Sequence, residues 1–208
     1  MSDLRFSAIV LAAGCSTRMP GGHKLLLPLG DETVVRRTAR ALLGAGPAET
    51  VVVTGSHAQA VSSALAGLPV RVQFNPRYEE GQMTSVAAGV AALALPCDAI
   101  MICLGDMALL ETADYRELMD AHESRPRGSI VVPRRSGMRG NPVVFASEFK
   151  AEIVAGERNL GCRKLIADHP GEVFAYEPAH DRFFVDLDTP EDYARYLERL
   201  ALPAVTMS

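Results

Sequence analysis

The residues from Leu11 to Lys24, LAAGCSTRMPGGHK, put three glycines, one arginine and one lysine into one short stretch. Glycine lets backbone N–H groups approach an anion closely, and the two cations add charge. Arg18 offers a planar fork to phosphate oxygens, and Lys24 a compact point charge. They stand six residues apart around the flexible Gly21-Gly22 pair, so both can reach one polyphosphate. Two solvated cations beside a turn would be the plainer explanation. The position directly after an apolar run, Phe6 to Val10, favours a phosphate-binding turn instead.

Two common nucleotide-loop patterns are absent. G-x-x-x-x-G-K-[ST] fails because Gly22 is followed by His23, and Lys24 by Leu25. G-x-G-x-x-G fails because Gly14 is followed by Cys15 and Ser16. A second chemical feature is Asp106, at the end of the most apolar run in the chain, in CLGDM. A carboxylate there costs desolvation unless it is paired or binds a metal. Capping a turn ahead of Ala108–Leu110 and holding a cation are both open to it. A third feature is VDLDTPED, from Val185 to Asp192. Asp186 and Asp188 alternate on an expected strand and so share a face. With Asp106 they could hold Mg²⁺ through hard oxygen ligands, with water and phosphates completing the octahedron. Glu191 and Asp192 belong to the first turn of the following helix, where they complement its macrodipole.

These residues need a scaffold, and the rest of the chain describes one. Its 208 residues, 48% hydrophobic and 22% charged, suit one globular domain spanning 1–208. The net charge of −4 and the lack of a long basic block argue against nucleic acid as a partner. No apolar stretch reaches the length of a membrane span. The four cysteines, Cys15, Cys97, Cys103 and Cys162, form no C-x-x-C pair and read as thiols of a reducing, cytoplasmic compartment.

Apolar strand-like runs alternate with helical patterns. Strands are expected at Phe6–Leu11, Thr50–Thr54, Val70–Phe74, Ala99–Leu104, Ser129–Val132, Pro142–Phe145, Val173–Tyr176 and Phe183–Leu187. Helices are expected over Glu32–Gly44, His57–Ala66, Met83–Leu95, Thr112–His122, Ser147–Ala155, Leu160–Asp168 and Pro190–Leu200. Such alternation indicates an α/β fold with a mostly parallel, Rossmann-like sheet covered on both faces, a three-layer domain. Ligands of open α/β sheets bind at the carboxyl ends of the strands. The loops Gly14–Lys24, Gly55–His57, Asn75–Ser85 and Gly105–Asp106 should therefore share one rim. The basic segment Ser124–Asn141 reads as a flap or a surface hairpin.

The ordered set LAAGCSTRMPGGHKLLLPLG, NPRYEEGQMTSVAAGV, LGDM, GNPVVF and VDLDTPEDY resembles the MobA-like nucleotidyltransferases over residues 6 to 200. The AAG opening and the KLLLP run are more similar to the molybdenum cofactor cytidylyltransferase branch than to the guanylyl branch. The resemblance implies a nucleoside triphosphate, CTP favoured, bound by Gly14, Ser16, Arg18 and Lys24. Leu11, Ala12 and Ala13 would offer backbone groups to base and ribose, and Gly81 and Ser85 would line that side. Asp106 would be the main Mg²⁺ ligand with Asp188 as its partner and Asp186 as a weaker candidate. Arg18, Lys24 and Asp106 would carry catalysis. Asn141 and Arg163 would lie on the side of a phosphorylated acceptor, molybdopterin by the resemblance, with a molybdoenzyme as downstream client.

Three positions depart from the family pattern: Ala108 replaces a proline after GDM, Asn141 replaces the histidine of GHP, and Asn159-Leu160-Gly161-Cys162-Arg163 replaces an acidic-Gly-Ala-Arg segment. The expected reaction is Mg²⁺-dependent transfer of CMP with release of pyrophosphate. Guanylyl transfer to molybdopterin, transfer to a sugar phosphate or another small phosphate ester, and a non-catalytic nucleotide sensor or molybdoenzyme accessory role remain alternatives. The sequence assigns no role to His23 or His57.

Overall fold

Strand β1 (Phe6–Ala12, FSAIVLA) is buried along its whole length, which only a strand with neighbours on both edges and layers on both faces can satisfy. In the computed structural model, which describes residues 4–15, 23–125, 128–156 and 162–202, β1 lies at the centre of a mixed sheet. A short hairpin follows, β2 (Pro28–Leu29) and β3 (Glu32–Thr33), and leads into α1 (Val34–Leu43). Thr33 caps that helix, its hydroxyl accepting from Arg36 N at 3.4 Å. Then come β4 (Glu49–Thr54), α2 (Ala58–Ala64), β5 (Arg71–Phe74), α3 (Gln82–Ala91), β6 (Ala99–Leu104) and α4 (Thr112–Ser124). The remaining elements are β7 (Ile130–Arg135), β8 (Met138–Arg139), β9 (Val143–Ala146), α5 (Lys150–Ala155), α6 (Arg163–Asp168), β10 (Val173–Tyr176) and α7 (Pro190–Arg199).

The sheet runs β10-β7-β9-β6-β1-β4-β5, with β8 paired to β7. Strands β4, β1, β6 and β5 are mutually parallel. Strand β9 runs antiparallel between β6 and β7, so β7 is again parallel to β6. The carboxyl ends of β1, β4, β5, β6 and β7 therefore open onto one rim. Ser124–Asn141 is not a detached flap: its middle is the core strand β7, and its tip is the β7–β8 hairpin; residues 126 and 127 fall outside the described set.

Alternate residues of β1 feed two cores. Ala8, Val10 and Ala12 join α1, α4 and α7 on one face. Ile9 and Leu11 join α3, α5 and α6 on the other. This is the expected single three-layer α/β domain. The last helix is held by a capping box, Thr189 accepting from Asp192 N and Asp192 from the Thr189 backbone, with Pro190 at its first position.

One expected element is different. Phe183–Leu187 is not a strand: Arg182–Phe184 forms a short 3-10 turn, and the chain runs on without sheet partners. Phe183 is still fully buried, so its apolar pattern was read correctly as burial and incorrectly as pairing. Among the described residues no helix is long and apolar enough to cross a membrane.

Candidate functional site

Where β1 and β6 end side by side, a cavity of about 340 Å³ opens on the rim. Its floor is Leu11, Leu25 and Leu104, and one wall is Ala13 and Gly14. Lys24, Asp106, Asp186 and Asp188 form the charged side, and Tyr78, Gln82 and Ser85 the side facing α3. A larger hollow of about 580 Å³ lies across α3, lined by Met83, Ala87, Ala91 and others, but no carboxylate is among its described lining residues.

The charged side has a definite geometry. Lys24 Nζ donates to Asp106 Oδ2 and, at 2.8 Å, to Asp188 Oδ1. Burial works against the lysine charge, but the Asp106 and Asp188 carboxylates more than offset it, and its pKa stands raised. Asp186 makes a third carboxylate. Burial, with Asp106 and Asp188 as neighbours, pushes its pKa up to about 6. Asp106 Oδ1 is buried and has no hydrogen-bond partner among the described residues. A carboxylate oxygen without a donor, with two more carboxylates nearby, is a donor set that fits a hard divalent cation.

The expected strand carrying Asp186 and Asp188 is absent, yet both side chains line the cavity. What holds them is α7. The hydroxyl of Tyr196 lies 2.9 Å from the carbonyl oxygens of both Asp106 and Val185. Asp192 accepts from Asp188 N and Thr189 N at 3.0 and 2.8 Å. Asp192, expected only to complement the helix macrodipole, thus closes the capping box and at the same time fixes the backbone of Asp188.

The α3 side is organised by Asn75. Its side-chain amide donates to Thr84 Oγ1 at 2.9 Å and Ser85 Oγ at 3.0 Å. Gly81 enters the helix at φ 121°, a conformation that strains any other residue; it shapes the turn and does not line the cavity. Gly55 admits the Tyr78 ring: a Cβ there would sit 2.4 Å from Tyr78 Cγ.

His23 and His57, without a role in the sequence, meet beside Gly14. Their ring centroids are 4.7 Å apart, and His23 Nε2 lies 2.7 Å from the Gly14 carbonyl oxygen. His23 is 5% exposed, and burial lowers its pKa, which favours the neutral ring. A neutral ring with Nε2–H donating to Gly14 satisfies that carbonyl.

The other candidates separate. Ser16 and Arg18 lie outside the described residues. Ala12 is buried in β1 among the α1-side core residues and does not face the cavity. Asn141 donates its backbone N–H to Phe183 O at 2.9 Å, on the β9 side of the rim, and Arg163 opens α6; neither lines the cavity. Tyr78 and Gln82 sat in the NPRYEEGQMTS motif without being singled out. Tyr196 carried no signal beyond helical periodicity.

Asp114, Glu117 and His180 are spaced closely enough to hold a cation. Asp114, however, already accepts from Arg182 Nε and Nη2 at 2.9 and 2.7 Å, and from Glu111 N at 2.8 Å. The guanidinium neutralises it, so the group acts as a helix cap and a tie to the C-terminal segment.

The MobA-like NTP transferase domain family matches residues 8–173 of the chain. The chain belongs to that family. It is a nucleotidyltransferase of the MobA-like kind, and its expected family and fold are both borne out. A nucleotidyl transferase from Methanothermobacter thermautotroptrophicus superposes with a TM-score of 0.82 at 27% identity, covering 96% of this chain and 99% of that one. A Mycobacterium tuberculosis structure solved in complex with manganese gives 0.73 at 27% identity, over 93% and 98% of the two chains. Among curated proteins, the nicotine blue oxidoreductase of Paenarthrobacter nicotinovorans is 30% identical over 199 residues, 92% of this chain and 96% of that protein. The molybdenum cofactor cytidylyltransferase of Escherichia coli K12 is 25% identical over 194 residues, 92% and 95%.

Proposed function

We propose that this MobA-like domain transfers CMP from CTP to a phosphorylated acceptor, molybdopterin, with Mg²⁺ as its cofactor. The observation that carries the reading is the cavity in which Lys24 bridges Asp106 and Asp188, beside an Asp106 Oδ1 that has no partner among the described residues. A glycine-rich backbone on one wall, one cation and three carboxylates are what a triphosphate and a divalent ion together require.

In the reaction an oxygen of the acceptor phosphate attacks the α-phosphorus of CTP. The bond from that phosphorus to the β-phosphate bridge oxygen breaks, and pyrophosphate leaves. Asp106 and Asp188, with Asp186 beside them, would hold a divalent ion, which would supply charge neutralisation to the phosphates when bound. Lys24 exchanges its carboxylate partners for the departing phosphates, and Arg18 joins it. The Gly14 wall and Leu11 place the nucleoside, and Ser85, held by Asn75, faces it. A phosphate monoester near neutral pH is already ionised, so positioning and charge do the catalytic work without a general base. We place the protein in the cytoplasm, in keeping with its four free cysteines.

The relative named as an oxidoreductase raises a second reading, oxidoreduction, for which NAD is the probe. A thermal-shift panel of CTP, GTP, UTP, ATP and NAD with Mg²⁺ separates the two. The proposal expects stabilisation by CTP above the others, and pyrophosphate release with CTP and molybdopterin that Asp106→Asn abolishes. Near-normal turnover by Asp106→Asn, or stabilisation by NAD alone, would overturn it.

A further inference from the structure

A nucleoside triphosphate has two unlike ends: the phosphates carry the charge, and the base is a flat, aromatic, uncharged body. The cavity where β1 and β6 end has the same polarity. Lys24, Asp106, Asp186 and Asp188 take its charged side, and Tyr78, Gln82 and Ser85 bring no charge to the other. Tyr78 is the aromatic residue among the described lining residues. The phosphate chemistry leaves it without a part.

Several contacts fix where this ring stands. Tyr78 opens a short 3-10 turn, Tyr78–Glu80, between β5 and α3. Just ahead of that turn, Asn75 Oδ1 accepts from Arg77 N at 3.0 Å, and Thr84 Oγ1 lies 2.8 Å from Arg77 O. Arg77 donates to both carboxylate oxygens of Glu80, at 3.0 and 2.8 Å, and so closes the turn. The root of the Tyr78 side chain rests on Gly55, where a Cβ would stand 2.4 Å from Tyr78 Cγ and 2.6 Å from Tyr78 Cβ. The same added atom would stand 2.8 Å from Ala13 O, an oxygen that accepts from Ser56 N at 3.2 Å. Tyr78 therefore stands where the loops after β1, β4 and β5 meet.

The hydroxyl is engaged elsewhere. It is hydrogen-bonded to Glu79, and that carboxylate raises its pKa. Glu79 is exposed and is not among the described lining residues of the cavity. Held at its root by Gly55 and at its hydroxyl by Glu79, the half-buried ring has aromatic surface left to offer the cavity. Such a surface is a partner for the flat face of a nucleobase.

We infer that Tyr78 is the platform on which the base of the donor nucleotide stacks, with the phosphates running from there toward Lys24 and the Gly14 wall. The inference deepens the proposed transfer reaction and rests on it for the identity of the ligand. A base anchored at Tyr78 fixes one end of the nucleotide, so the α-phosphorus is presented at the carboxylate side, where the acceptor phosphate must arrive. Every base has a π-face, so stacking supplies affinity and position and leaves the choice among bases to polar groups.

The test is calorimetric titration of CTP and of inorganic tripolyphosphate, each with Mg²⁺, into the full chain as wild type, Tyr78→Phe, Tyr78→Leu and Tyr78→Ala. Tyr78→Ala should weaken CTP binding by about tenfold. Tyr78→Leu, which keeps apolar bulk against Gly55, should weaken it in the same direction, and Tyr78→Phe should bind CTP as wild type does. All three variants should respond to tripolyphosphate as wild type does, because that probe carries no base. CTP affinity unchanged in both Tyr78→Ala and Tyr78→Leu would overturn the platform. So would a loss in Tyr78→Phe equal to that in Tyr78→Ala, or a loss of tripolyphosphate binding in step with that of CTP, since Tyr78 would then only shape the rim. Failure of CTP to bind wild type would overturn the platform together with the transfer reading. Failure of the transfer reading alone shows itself as CTP binding that depends on Tyr78, with no pyrophosphate released when molybdopterin is added.

Discussion

The hydroxyl of Tyr196, on the last helix, lies 2.9 Å from the backbone carbonyl of Asp106, 90 residues earlier in the chain. The same hydroxyl is 2.9 Å from Val185 O, so one proton serves two carbonyls. Tyr196 is fully buried. It joins the end of β6 to the segment that carries Asp186, and thereby sets the distance between the carboxylates. Tyr196→Phe keeps the ring and removes only that tie. It should cost about 1–3 kcal/mol in denaturant unfolding and lower kcat more than it changes the KM for CTP. An unchanged unfolding midpoint would mean that packing alone holds the two segments.

Lys24 offsets part of the negative charge of a cavity lined by three carboxylates. Lys24→Met should destabilise the metal-free protein by about 2 kcal/mol, because Asp106 loses its partner in a largely buried place. Added Mg²⁺ should recover more of the melting temperature in this variant than in wild type. Equal metal response in the two proteins would remove Lys24 from competition with the ion.

His23 secures the Gly14 carbonyl from below. His23→Leu should raise the KM for the nucleotide by about tenfold, the worth of one lost hydrogen bond, with a smaller change in kcat. Steady-state kinetics with CTP varied would show it. An unaltered KM would make the His23–His57 pair a packing feature only.

His122 supplies a pH dependence of stability away from the cavity. It is 2% exposed on α4, and burial, aided by Arg125, lowers its pKa from 6.5 to about 4. The unfolded chain therefore binds a proton between these values while the folded one does not. Stability is full above pH 6.5 and falls as pH drops toward 4, by about 3 kcal/mol in all. Denaturation at pH 7.5 and 4.5 should show the loss in wild type and a smaller one in His122→Gln.

Much of the scaffold was legible in the chain itself. Continuous apolar runs such as AIVLA and AIMICL need cover on both faces, and with helices between them only a largely parallel sheet provides it. Convergence of the loops after β1, β4, β5 and β6 follows from that topology. Lys24, Asp106, Asp186 and Asp188, singled out by residue type and position, line one cavity, although Asp186 and Asp188 reach it on an unpaired segment and not on a strand. Burial makes Phe183 and Leu187 look like strand residues, and an apolar pattern alone cannot tell a paired strand from a segment packed under a helix.

Tertiary structure decided everything that depends on residues distant in sequence. Lys24 chooses Asp106 and Asp188 because β1 and β6 are neighbours, and Tyr196 sits above them because α7 returns across the sheet. Arg134 stands opposite Arg139 only through the register of the β7–β8 hairpin. Local periodicity specifies which face of an element is apolar; it carries no information on which distant charge will lie beside it. The chain thus determined its family and its sheet, and the packing of distant segments determined which charges meet on the rim.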